Sequence, residues 1–148
     1  MVWKLEESQR LSKWRDFRKS LNNLELEQAL QQTVDWWNRC PWAPFYLDEA
    51  DPTSWPNPWD LLAENCFCDI AKAYGMACTI YLTDHKPDVT VNIMQDTETR
   101  TTVCICIVNE KYVLNMNSGE VLNRTYITKT FTLKHSYTAA DLNLHTYI

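Results

Sequence analysis

Between residues 7 and 21 apolar side chains return every three to four positions. Leu11, Trp14, Phe17 and Leu21 form one stripe, the spacing of an amphipathic helix over about Glu7 to Ser20. Asn22 and Asn23 interrupt the pattern, and either can cap the next helix. A second stripe, Leu26, Ala29, Leu30, Val34 and Trp37, predicts that helix from about Leu24 to Asn38. The two should form a helical hairpin. Trp36 lies off that stripe and has to face another element or a partner.

Five of the six prolines fall between Pro41 and Pro58, which excludes a helix or a central strand there. Trp42, Phe45, Tyr46, Leu47 and Trp55 in the same stretch predict an ordered, packed loop and not a solvated linker. Asn57-Pro58-Trp59-Asp60 reads as a helix start, with asparagine at the cap and proline at the first position. This third helix is expected to run to Gly75 and stop there. Beyond it, ACTIYLTD, VTVNIMQ, TTVCICIV, KYVLNM and VLNRTYITKTFTL alternate as strands, separated by turn residues. Five strands in hairpin order predict a mostly antiparallel sheet.

Composition sharpens this division. All seven tryptophans lie in the first 59 residues, and thirteen of the fifteen threonines come after Gly75. Neither half alone would make a good core, so residues 1–148 are expected to form a single α+β domain. In it, a helical, tryptophan-rich part (1–75) packs on a threonine-rich, five-stranded sheet (76–148). Net charge is −5, but residues 1–20 carry six basic and three acidic side chains. An acidic body opposes non-specific nucleic-acid binding, so no sequence-specific contact with nucleic acid is expected. The opening MVWKLEESQR has no apolar run, and no segment approaches the length of a membrane span. The chain is therefore expected in the cytoplasm, with its six thiols reduced and no membrane partner.

Candidate chemistry is sparse. Cys66/Cys68 and Cys104/Cys106 are C-x-C pairs without a nearby histidine, a poor zinc set. Asp48, Glu49 and Asp51 lack the ligand alternation and central glycine of a calcium loop. Two glycines cannot build a phosphate loop, and no cofactor is expected. A cysteine-bearing helix leading into an antiparallel sheet does resemble the papain-like and transglutaminase-like cores. In those, a thiol at a helix start is served by a histidine and then an Asp or Asn on neighbouring strands. TTVCICIV and KYVLNM are similar to that strand pair, and Asn115 can mimic the third member. The strand that should carry histidine, Thr101 to Val108, has none. Cys66 would sit two turns inside its helix.

WWNRCPWAPFYLD, then DPTSWPNPWDLL and CDIAKAYGM, resembles a family of small uncharacterised proteins of tailed bacteriophages. A paired tryptophan, a proline-rich YLD segment and a WPxPW helix start recur in them. The resemblance implies a non-enzymatic virion component of the neck, tail or baseplate, made in the host cytoplasm. Its expected partners are other virion proteins and copies of itself. The surfaces expected to meet them are the basic face Lys13, Arg15, Arg18 and Lys19 with Trp36, Trp42, Trp55 and Trp59. Two alternatives stand beside this: a transglutaminase-like cysteine hydrolase using Cys66 or Cys68, and a small acidic phage protein that inhibits a host factor.

Overall fold

The structure is a computed structural model that describes residues 1–44 and 47–148. Phe45 and Tyr46, expected in the packed loop, lie outside the described residues. Helices α1 (Glu7–Leu21) and α2 (Leu26–Trp37) form the expected hairpin pattern, each with its stripe turned inward. The loop after them is packed, with Leu47 and Trp55 buried and the Trp55 indole N–H donating to the Asp48 carbonyl at 2.7 Å. Asn57 caps α3 (Pro58–Glu64), its Oδ1 accepting the Asp60 N–H at 2.9 Å.

The expected single helix from Pro58 to Gly75 is in fact two. Asn65, at φ 54°, ends α3 in the left-handed region, where asparagine is tolerated better than most residues. A new helix, α4, runs Asp69–Tyr81 and takes in most of the segment expected as the first strand. Gly75 is therefore inside a helix and not its stop. A Cβ there would lie 2.4 Å from Trp37 Cη2, so the residue is glycine because the indole fills its place.

The sheet has five strands in the order β4-β3-β2-β1-β5 and is antiparallel throughout, as an α+β fold requires. They are β1 (Val89–Asp96), β2 (Thr102–Val108), β3 (Tyr112–Leu114), β4 (Val121–Asn123) and β5 (Phe131–Thr138). The run expected as one last strand is split by a 3-10 turn at Arg124–Tyr126, which lets β5 cross over and pair with β1. α4 lies on one face, packing Val91, Ile93, Cys104 and Cys106 into the same core as Trp14, Trp37 and Phe67. On the other face Met94, Ile105, Ile107 and Val113 make a second, smaller cluster. No helix among the described residues is long and apolar enough to cross a membrane.

Candidate functional site

Residues 41–43 run beside 66–68 just before α4. Ala43 N–H donates to the Phe67 carbonyl at 2.9 Å, and Phe67 N–H to the Pro41 carbonyl at 3.0 Å. This strip delivers Cys68 to the N-cap of α4, where its Sγ accepts the Ala71 N–H at 3.5 Å. Cys66, half-buried on the lead-in segment, is not inside a helix. The thiol at a helix start is thus Cys68, because Asn65 breaks the helix ahead of it.

Cys68 opens on a cleft of about 710 Å³ between the strip, α4 and the sheet. Trp42, Leu47 and Ile70 give it apolar walls, while Asp48, Asp69 and Lys134 stand around it. Cys104, on β2, lines it opposite the helix start. Burial, then the negative charge of Asp69, pushes the Cys104 thiol up to about 12. Asn115, just past β3 at φ 70°, donates Nδ2 to the Cys104 carbonyl at 2.9 Å and to the Asp69 carbonyl at 3.3 Å. It ties β2 to the start of α4. Cys68 and Cys104 thus line one cleft, and Asn115 bridges the backbones on its two sides.

None of the three histidines lines the cleft. His85 Nε2 lies 2.9 Å from the Leu21 carbonyl. His135 stacks on Tyr137 with ring centroids 5.9 Å apart, and His145 is exposed in the C-terminal 3-10 turn.

The acidic stretch is exposed at Asp48 and Asp51, where one oxygen of each is held by a local hydrogen bond. Asp48 Oδ1 accepts the Ala50 N–H at 2.9 Å, and Asp51 Oδ1 accepts the Thr53 hydroxyl at 2.5 Å. Glu49 Oε1 pairs with Lys134 Nζ at 2.7 Å. No group of three or more His, Cys, Asp or Glu stands together to hold a metal among the described residues.

The residues expected at an interface are scattered. Lys13, Arg15 and Lys19 are exposed along α1, whereas the Arg18 guanidinium lies 4.2 Å from the Trp14 ring centroid. Burial lowers its pKa, and neighbouring Arg15 adds to the effect. Trp36 stacks on Phe17 at 5.2 Å, Trp55 meets Tyr74 and Tyr137, and Trp59 meets Trp14 and Tyr147. Trp42 is 62% exposed, at the cleft.

The site is a thiol at a helix start, walled by an antiparallel sheet. Solved structures share this fold. LapG of Legionella pneumophila matches in its calcium-bound form with a TM-score of 0.69 and 11% identity, over 91% of this chain and 78% of that one. A second LapG structure matches with a TM-score of 0.68, 10% identity, and 93% and 80% coverage. EGTA-treated LapG gives 0.66, 11%, and 93% and 80%. The sequence matches no protein-family model and no curated protein.

At that identity the likeness is one of fold. It nonetheless overturns two expectations, the non-enzymatic virion component and the absence of enzymatic character. LapG is a transglutaminase-like cysteine protease, and nothing in the comparisons links the chain to a phage. One ground for that expectation, Cys66 two turns inside an uninterrupted helix, is removed because Asn65 breaks the helix, while the strand expected to carry histidine still carries none.

Proposed function

We propose that the chain is a thiol hydrolase of the transglutaminase-like kind, with Cys68 as its nucleophile. The observation that carries this reading is the Cys68 sulfur at the start of α4, opening on a cleft walled by β2. The fold shared with LapG supports it. First-turn N–H groups of a helix have no intrahelical acceptors, and they stabilise negative charge that develops on an attacked carbonyl oxygen. Sγ forms a bond to the carbonyl carbon, the leaving group departs, and water then cleaves the acyl–sulfur bond to regenerate the thiol. Asn115 serves as a positioning residue, fixing β2 against the start of α4 through its two hydrogen bonds. The apolar walls at Trp42, Leu47 and Ile70 suit the apolar part of an acyl group.

The test is hydrolysis of 4-nitrophenyl acetate by wild type, Cys66→Ala and Cys68→Ala, each with its melting temperature. Nitrophenol release should fall at least about tenfold in Cys68→Ala and persist in Cys66→Ala. Full release by a folded Cys68→Ala protein would end the assignment.

A further inference from the structure

The proposed hydrolase site has a nucleophile but no imidazole beside it, and that restricts what it can cleave. An amide reacts with a thiolate to give a tetrahedral intermediate holding two candidate leaving groups. Sulfur is by far the better one, so the intermediate reverts unless an acid protonates the amine nitrogen. Histidine does this in thiol hydrolases, and here its strand position is held by Cys104, buried beside Cys68 in the cleft wall. No histidine lines the cleft: His85 is bound at Leu21, His145 is exposed in the C-terminal turn, and His135 stacks on Tyr137, two strands away from Cys104 across Ile93. Lys134, the cleft's one ammonium among the described residues, is held by Glu49 at 2.7 Å.

We infer that the cleft takes acyl thioesters, not amides, as its acyl donors. The inference rests on the hydrolase reading and narrows its substrate class. In a thioester the group displaced is itself a thiolate, so forward collapse needs no proton donor. The Cys68 proton passes to solvent before attack. The bond from Sγ to the acyl carbon forms, the donor's carbon–sulfur bond breaks with its electron pair leaving on sulfur, and that thiolate takes a proton from water. Hydrolysis of the acyl–Cys68 bond then consumes one water and releases the carboxylic acid. Without a base to activate that water the second step is the slow one, so the S-acyl protein accumulates.

Charge selects among thioesters. Asp48 and Asp69 flank the cleft in addition to the neutral Lys134–Glu49 pair, so a polyanionic carrier is repelled and an uncharged one admitted.

The experiment incubates the full chain with the acetyl thioester of N-acetylcysteamine, an uncharged donor, and in parallel with an acetylated peptide amide. Intact-mass and peptide mass spectrometry read the adduct. One acetyl group should appear on Cys68 from the thioester and none from the amide, and Cys68→Ala should lower the adduct at least about tenfold. Cys68→Ser, with its melting temperature, guards against loss by misfolding. Cleavage of the amide through Cys68 would overturn the substrate class and leave the hydrolase reading standing. So would turnover of 4-nitrophenyl acetate with no thioester adduct. A Cys68 that is acylated by none of the three donors would end both.

Discussion

The two polar regions under the helices obey opposite rules. In the first, Thr79 sits deep in the core, and its hydroxyl oxygen accepts from the Trp14 indole at 3.1 Å and the Trp37 indole at 2.9 Å. The same hydroxyl donates to the Gly75 carbonyl at 2.7 Å. Nearby, buried Arg10 spreads its guanidinium over the carbonyls of Leu5, Leu62 and Ala63 at 2.6–2.9 Å, closing the end of α3. Every donor there has a purpose in the fold. The second region is the cleft, where thiols, carboxylates and one ammonium gather beside an exposed indole. Its one ion pair, Lys134 with Glu49, is about a third exposed on each side. The first region is held by hydrogen bonds that the fold completes within itself, whereas the cleft gathers its polar groups on a surface that a substrate can reach.

The largest effect expected from breaking that contrast comes from supplying the imidazole that the cleft lacks. Cys104→His puts one on β2 opposite Cys68, in the position that a general acid and base would hold. Such groups contribute roughly 10²–10⁴ in rate. The variant should release acid from the S-acyl intermediate faster by about two orders of magnitude or more and begin to cleave a peptide amide. Single-turnover deacylation measured by mass spectrometry checks it. A folded variant with unchanged deacylation would remove Cys104 from the base position.

In the first region, Trp37→Ala should cost about 3–5 kcal/mol, the usual loss for a buried large aromatic. The indole is fully buried, fills the space over Gly75, and is one of two donors to Thr79. Urea denaturation reads the loss. Restoring volume with Trp37→Phe should recover only part of it, because the Thr79 hydroxyl still lacks one of its two donors. Full recovery would show that the hydrogen bond adds nothing.

How far this division was legible in the sequence depends on periodicity. α1 and α2 carry one apolar face each and were readable from spacing, as were β1 to β3 from alternation. α4 is buried nearly all round from Ile70 to Ile80, so no stripe distinguishes it and β-rich ACTIY resembles a strand. Gly75 looked like a terminator because its partner, Trp37, lies far away in sequence. The site suffered most. Its thiol is brought to a helix start by Asn65 at positive φ, and its N-cap is a cysteine, a residue that capping rules do not lead one to expect. Asn115 after the third strand was a readable signal, and asparagine before C-x-C was one that the reading of a single helix passed over.

Arg10 should come next in size. Replacing it with leucine keeps apolar bulk but removes three hydrogen bonds from a charged donor and leaves three carbonyls to find water. A loss of about 2–3 kcal/mol is expected, read by denaturant midpoint. Arg10→Lys should rescue little, since a single ammonium cannot span the fork that reaches Leu5 and Leu62 together. A fully stable Arg10→Lys protein would mean that charge alone matters there.

The smallest effect belongs to the cleft's own ion pair. Lys134 Nζ and Glu49 Oε1 are 2.7 Å apart, but both side chains are about a third exposed, at 36% and 35%. Water and salt screen such a pair, so Lys134→Met should change stability by about 0–1 kcal/mol. The wall does not depend on it, because the Tyr137 hydroxyl independently donates to the Glu49 carbonyl at 2.7 Å. Function should respond where stability does not. Losing the ammonium frees the Glu49 carboxylate and makes the cleft more acidic, which disfavours an anionic donor further and leaves an uncharged thioester nearly unaffected. Comparing the acylation rate of Lys134→Met with an uncharged and a carboxylate-bearing thioester at low salt separates the two effects. Equal rates with both donors, at unchanged melting temperature, would show that charge around the cleft selects nothing.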